Sequence, residues 1–305
     1  MTPEQLLDGY RRMALIREFE ERLYGLFREG VLYGTTHAYT GQEAIAVGVV
    51  GRLDRERDVI TSNHRGHGHY LAYCDDVEGL LAELMGRASG ACRGWGGSQH
   101  LRRGNFLSNG VLGSMLPVGV GMALAEKRKA SDAIVCNFLG DGTLGEGVVY
   151  ESLNMAGLWK LPVLFCVENN RYQQAVAVER AVAGDIAARG RAFGLEAVVL
   201  DGNDLEAVDA ALAEIVPRVR DEHVPHWVVL ETYRMAGHSK SDDSCYRTRE
   251  EEARGAPRDP LAAVERRLPA GTREAVLAEV RARVDAALEA ARAAARPRIE
   301  DTPPR

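Results

Sequence analysis

Short apolar runs alternate with helical stretches through the second half of the sequence, and this alternation limits the possible folds more than any other feature. The apolar runs are residues 133–139, 162–168, 196–202 and 226–233. Stretches with helical spacing lie among them at 145–158 and 204–222. Strands that alternate with helices in this way form parallel sheets covered by helices on both faces. We therefore predict an α/β fold with a doubly wound, mostly parallel sheet.

The remaining segments extend this prediction towards both ends of the chain. Helical spacing predicts helices at 4–28, 42–53, 78–85, 114–129 and 272–296, the fourth of them buried. "DVITSN" is typical of a strand, "HRGHGH" of a turn, and residues 86–113, with eight glycines, of an ordered functional loop. The last helix carries an apolar stripe of Val276, Val280, Val284 and Leu288. We expect one domain over 1–270, followed by a C-terminal helix and tail over 271–305 whose ending, "RPRIEDTPPR", frays.

Composition excludes several classes of partner. The net charge of −6 gives no reason to expect nucleic acid or an anionic membrane. No apolar run approaches the ~20 residues that a membrane helix needs, and the charged N-terminus lacks a signal-peptide core. The five cysteines form no CxxC pair, which argues against a zinc site or a disulfide framework, and Cys136 and Cys166 read as buried thiols. We expect a soluble cytoplasmic protein.

Polar residues follow two of the predicted strands at the points where they end. Asp141 comes directly after the run 133–139, between Gly140 and Gly142, and Asn169 and Asn170 follow the next run. Parallel strands that lie close together bring such groups to one edge of the sheet, where ligands bind. Carboxylate and amide oxygens suit Mg²⁺, and the N-terminus of the next helix suits phosphate. The pattern predicts a metal–diphosphate site, although a bare GDG is more often a tight turn with a capping Asp.

The spacing from GDG to the asparagine pair also resembles the thiamine diphosphate fingerprint. "ESLNMAGLWKLPVLFCVENNRY" is similar to the α subunit of the two-chain E1 component of 2-oxoacid dehydrogenase complexes, with the pyruvate and acetoin branch closest. Further similar motifs are "HAYTGQEAIAVG", "NHRGHGHYLA", "LSNGVLGSMLPVGVGMALA" and "LETYRMAGHSKSDDSCYRTREEE". The resemblance covers roughly residues 5–270 and is more specific for the family than for the substrate.

The resemblance implies a role for particular residues. It implies Mg²⁺ ligands in Asp141, the Asn170 side chain and the Tyr172 carbonyl. Other residues are implied to contact the cofactor, namely His64, Arg65, Gly110, Leu112, Gly140, Gly142, Thr143 and His238. Among these, Arg65 matches an arginine that pairs with phosphate oxygens, and His64 stands where pyruvate enzymes usually have a tyrosine. His37 matches an active-site histidine, so His37 and His238 are the expected proton carriers.

The resemblance also implies partners. The family's activating glutamate comes from the β subunit, so this chain is expected to be inactive alone and to form an α2β2 heterotetramer. The implied reaction cleaves the bond next to a ketone, in pyruvate, a related 2-oxoacid or acetoin. The acyl unit then passes to a lipoyl-bearing acyltransferase or to an acyl carrier protein.

Departures from the family pattern keep alternatives open. Gln99, Gln173 and Gln174 add polar groups near the expected pocket, which would suit a ketose or hydroxy-oxoacid donor. A non-catalytic subunit that binds a partner is a second alternative. A nucleotide phosphotransferase lacks support because the sequence contains no GxxxxGK[ST] motif. We expect His69 and His100 to be turn or packing residues, and Glu151 and Asn154 to be structural.

Overall fold

The computed structural model describes residues 1–255 and 258–301 of the chain. In the first half, the elements are α1 (Pro3–Arg28), α2 (Glu43–Val50), β1 (Val59–Ser62), α3 (His67–Cys74), α4 (Val77–Leu84), β2 (Arg102–Arg103), β3 (Phe106–Ser108) and α5 (Met115–Lys129). In the middle, they are β4 (Val135–Gly140), α6 (Gly147–Trp159), β5 (Val163–Asn169), β6 (Tyr172–Gln173), β7 (Val176–Ala177), α7 (Val178–Ala181) and α8 (Ile186–Ala192). The last elements are β8 (Glu196–Asp201), α9 (Leu205–Asp221), β9 (His226–Glu231), α10 (Arg249–Gly255), α11 (Pro260–Glu265) and α12 (Thr272–Ala293).

A seven-stranded sheet forms the centre of the molecule, in the order β2-β3-β1-β4-β5-β9-β8. Its strands pair in parallel except for β2 with β3. The predicted α/β class is confirmed. Strands β4 and β5 are direct neighbours, with Gly140 opposite Glu168. Asp141 and Asn170 therefore leave the sheet at the same edge, as the strand-end argument predicts.

The alternation of side chains along each strand builds two separate cores, one on each face of the sheet. Cys136, Phe138 and Cys166 face a core formed with α1, α2, α4, α9 and α12. Val135, Leu139 and Phe165, from the same strands, face a core formed with α5, α6 and α8. Because both faces are covered, the central strands are apolar throughout rather than alternating with polar residues. The predicted burial of Cys136 and Cys166 is confirmed.

Helix α12 joins the first of these cores. Its stripe of Val276, Val280, Val284 and Leu288 is buried, as predicted. The helix ends at Ala293, three residues before the predicted boundary. The predicted fraying of the tail falls partly on residues 302–305, which lie outside the described part of the chain.

Three local predictions are wrong. Residues 86–113 are not a loop throughout, because β2 and β3 of the central sheet lie within them. The histidine-rich segment is not a turn throughout, because α3 begins at His67, where the apolar "YLAYC" that follows can pack a helix. Helix α5 is not buried on all sides, since Val118 is 44% exposed and only part of the helix packs inward. In addition, a short 3₁₀ turn, Asp141–Gly145, precedes α6.

Within the described ranges, no helix is both long and apolar enough to span a membrane.

Candidate active site

A cavity of about 340 Å³ opens at the carboxyl edge of the sheet, beside the ends of β1, β4, β5 and β9. Every residue that the sequence singled out for catalysis, cofactor or metal lines this one cavity. These residues are His37, His64, Arg65, Gly110, Leu112, Gly140, Asp141, Gly142, Thr143, Asn170, Tyr172 and His238. Their convergence from six separate segments is the main structural support for the predicted site.

Oxygen atoms form one corner of the cavity. Asp141 is 1% exposed, and its Oδ2 has no hydrogen-bond partner among the residues that the structure describes. Asn170 donates from Nδ2 to Gln42 at 3.0 Å, so its Oδ1 faces the other way and accepts only a 3.3 Å bond from the Tyr172 amide. The Tyr172 carbonyl accepts a long bond, 3.4 Å, from Arg234. A carboxylate oxygen without a partner and two weakly engaged oxygens fit the hard-oxygen preference of Mg²⁺.

Burial leaves Asp141 in an energetically unfavourable state. Loss of solvent raises the pKa of this carboxyl to about 6, although backbone hydrogen bonds and Arg234 act in the opposite direction. A buried carboxylate is stabilised by a nearby cation. The donor set and its charge therefore match a divalent metal. Asn169, by contrast, turns away and donates to the Glu231 carboxylate at 3.0 Å.

Two buried guanidinium groups face the same cavity. Arg65 donates to the carbonyls of Ala38 and His238, and Arg234 donates to the Gln174 carbonyl and the Tyr246 hydroxyl. Neither is ion-paired with a carboxylate within the described residues. Burial, together with the charge of Arg234, lowers the pKa of Arg65 to about 10. Buried cations without counter-ions make an anion site, which fits a diphosphate.

Three histidines form the opposite part of the lining. The His37 ring lies 4.7 Å from the His64 ring and 4.8 Å from the His238 ring, centroid to centroid. Burial, with the positive charge of Arg65, lowers the pKa of His37 to about 2, of His64 to about 3 and of His238 to about 4. All three imidazoles are therefore neutral at neutral pH and are weak bases until a negative charge enters the cavity.

The loop that carries His238 is held by polar contacts. The His238 amide donates to Asp242 at 2.6 Å, and Tyr246 donates to the same carboxylate oxygen at 2.7 Å. Arg234 donates to the Tyr246 hydroxyl at 2.5 Å. This chain of bonds connects the loop to a guanidinium in the cavity wall.

The glutamines that depart from the family pattern also line the cavity. Gln173 donates to the Asp141 carbonyl at 3.2 Å. Gln99 lies so close to Gly110 that a Cβ there would meet its Oε1 at 2.0 Å. A side chain at position 110 would therefore displace Gln99 from the wall. Gln174 completes this polar part of the lining.

Other predicted residues lie elsewhere. His69 is fully buried behind the cavity, between Ser62 and Glu168, and His100 borders a neighbouring cavity of about 610 Å³. Glu151 and Asn154 are exposed on α6.

The sequence analysis missed three lining residues, Asn63, Glu168 and Arg234. Each lies at or just beyond the end of a strand, so the rule that identified Asp141 applies to them as well.

Comparison with known proteins identifies the family. The model of the family described as dehydrogenase E1 component matches residues 11–300. The α subunit of pyruvate dehydrogenase E1 from Zymomonas mobilis is 44% identical over 252 residues, which cover 81% of this chain and 71% of the relative. The α subunit of acetoin:2,6-dichlorophenolindophenol oxidoreductase from Bacillus subtilis is 42% identical, over 82% and 76%. A pyruvate dehydrogenase E1 α subunit from Rhizobium meliloti is 40% identical, over 88% and 78%. The chain therefore belongs to the dehydrogenase E1 component family, whose cofactor is thiamine diphosphate, as an α-type subunit.

Proposed function

We propose that this chain, together with a β subunit, uses thiamine diphosphate and Mg²⁺ to cleave the carbon–carbon bond next to a ketone. The relatives are named for pyruvate and for acetoin, so the substrate proposed for this chain is pyruvate, a related 2-oxoacid or acetoin. One observation carries the proposal: the partnerless Asp141 carboxylate oxygen shares a cavity with two guanidiniums that lack counter-ions. A bound magnesium diphosphate would satisfy all three groups.

The residues divide into two tasks. Asp141, Asn170 and the Tyr172 carbonyl would hold Mg²⁺, while Arg65, Arg234 and the backbone at Gly142 and Thr143 would hold the diphosphate. When bound, thiamine diphosphate supplies the nucleophilic carbon and the electron sink for the cleavage. The chain's own residues position it and shield it from water.

The neutral histidines suit the proton transfers at the substrate. Burial, together with the charge of Arg65, keeps His37 and His238 unprotonated, and each would accept a proton at a ring nitrogen once the substrate's own negative charge is present. General acid–base catalysis by side chains placed in this way contributes roughly 10²–10⁴-fold in rate.

A partner subunit would complete the site. Val111 is 64% exposed and Leu112 is 43% exposed, and Leu112 lines the cavity itself. Apolar side chains exposed at the mouth of a polar cavity support coverage by another chain. We infer an α2β2 assembly that delivers its acyl unit to a lipoyl domain or an acyl carrier protein.

The test uses the chain co-expressed with its β partner. Calorimetry should show thiamine diphosphate binding with Mg²⁺ and much weaker binding in EDTA. Reduction of 2,6-dichlorophenolindophenol should then depend on pyruvate or acetoin. If the assembled pair binds no cofactor, the proposal fails and the alternative of a non-catalytic partner-binding subunit takes its place.

A second candidate function follows from the glutamines that line the cavity. Gln99, Gln173 and Gln174 can hydrogen-bond to substrate hydroxyl groups, which pyruvate lacks. A ketose or hydroxy-oxoacid donor with a carrier-protein acceptor would use them. Comparison of kcat/KM for pyruvate, acetoin and a hydroxylated donor separates the two, and Gln99→Leu should reduce only the hydroxylated reaction.

A further inference from the structure

The chain's buried histidines fall into two groups. His67, His69 and His226 each have both ring nitrogens within reach of a partner, among them Glu20 and Ser98 for His67. These rings are saturated and need nothing further.

The second group lines the active-site cavity and differs in this respect. Nδ1 of His37 and Nδ1 of His238 are buried and have no hydrogen-bond partner in the described part of the chain. His37 is only 5% exposed. Buried imidazole nitrogens without partners are uncommon and indicate that a ligand satisfies them.

The three cavity imidazoles, His37, His64 and His238, face one another closely enough to share an ion. One ring nitrogen from each can be chosen so that all three lie within 4.8 Å of one another. A point equidistant from the three nitrogens lies at most about 2.8 Å from each, to be compared with zinc–imidazole bonds of about 2.0–2.1 Å. Each ring therefore has to move by less than about 1 Å to coordinate zinc.

The formal side-chain charge of the whole cavity is zero, although Arg65 lies close enough to lower the pKa of all three imidazoles. The formal charges of the lining side chains are two guanidiniums, Arg65 and Arg234, and two carboxylates, Asp141 and Glu168, so they cancel. The imidazoles are neutral, which is the form that binds metal. Three nitrogen ligands favour Zn²⁺ or a similar borderline ion, whereas the oxygen corner favours Mg²⁺.

We propose that His37, His64 and His238 form a second metal site, which binds Zn²⁺ through three imidazoles and leaves a fourth position for water or a substrate oxygen. The cysteine pattern argued against a zinc site, but the ligands proposed here are histidines on three separate loops. A metal held there withdraws the lone pairs of His37 and His238 from proton transfer and so inhibits turnover. That consequence rests on the proposed function, whereas the binding itself does not.

The experiment titrates the metal-free full chain with Zn²⁺ and, for its spectrum, with Co²⁺. We expect one tight site and the intense visible absorption of four-coordinate Co²⁺. His37→Gln, His64→Gln and His238→Gln should each weaken Zn²⁺ binding by at least about tenfold, the lower end of the effect of losing even an outer-sphere partner. Circular dichroism checks that each variant is folded.

Two controls remove other exposed ligands, and a third variant tests rescue. His100→Gln and Cys245→Ser should leave the affinity unchanged, since both side chains are exposed outside the cluster. His64→Cys should retain binding and add a sulfur-to-cobalt charge-transfer band. Unchanged affinity in all three glutamine variants, or a weak octahedral Co²⁺ spectrum in the unmodified chain, would overturn the proposal.

Discussion

Asp141 should reduce the stability of the cofactor-free chain at neutral pH because it is ionised where burial disfavours its charge. The folded-state pKa of about 6 exceeds the ordinary value of 3.8. Between these two values the folded protein holds a proton that the unfolded chain has released. Below about pH 4, Asp141 therefore does not lower the free energy of unfolding. That free energy falls as the pH rises from about 4 to about 6 and stays lower above this range.

The size of this effect follows from the shift. At 1.36 kcal/mol per pKa unit, ionisation of Asp141 costs roughly 3 kcal/mol of folding free energy above pH 7. Asp141→Asn removes the ionisation and keeps the shape. Its free energy of unfolding, relative to the unchanged chain, should therefore increase by up to roughly 3 kcal/mol between pH 4 and pH 7.5. Any constant cost of burying the new amide cancels from this difference.

Urea unfolding of both proteins at several pH values measures this difference. Asp221→Asn, at an exposed position that ends α9, controls for the loss of one negative charge. The same Asp141→Asn protein, assembled with its β partner, should lose most of its Mg²⁺-dependent affinity for thiamine diphosphate. A stability difference that does not change with pH would refute the electrostatic argument, and unchanged cofactor affinity would refute the metal assignment.

Three further outcomes are expected. The purified single chain should show no decarboxylation, and steady turnover without a β subunit would contradict the shared site. Tyr246→Phe, which breaks the link from Arg234 to the His238 loop, should make residues 237–249 more sensitive to limited proteolysis, whereas Tyr70→Phe, which removes a similar Tyr–Asp bond, should not. Leu153→Ala, in the core beneath α6, should lower the free energy of unfolding by about 2–5 kcal/mol in urea titrations, and a loss below 1 kcal/mol would show that the core closes around the gap.

The sequence was most informative where local pattern and sheet geometry agree. Asp141 and Asn170 could be placed together because parallel neighbouring strands end at one edge, and that rule needs no knowledge of tertiary contacts. The same rule would have found Arg234, which lies three residues beyond β9, had it been applied to every strand. The fold class followed from the apolar runs for the same reason.

Loop conformation and partner surfaces were harder to predict. His37, His64 and His238 lie on three loops, and no periodicity in the sequence brings their rings within 6 Å of one another. The sequence also did not predict the exposed side of α5. An apolar helix has the same sequence pattern whether its outer face packs against its own chain or against a partner. Val118 and Gly121 are exposed there, so composition alone could not show where this molecule ends and a partner begins.

Several energetically unfavourable groups lie together in the cavity. Asp141 Oδ2, His37 Nδ1 and Arg234 Nε are all buried with no hydrogen-bond partner among the described residues, and each such group costs about 1–3 kcal/mol. Ligands that supply the missing contacts would remove these costs together. Cofactor binding should therefore stabilise the whole chain and tighten the His238 loop together, because Arg234 donates both to the Tyr172 carbonyl and to the Tyr246 hydroxyl that leads to that loop.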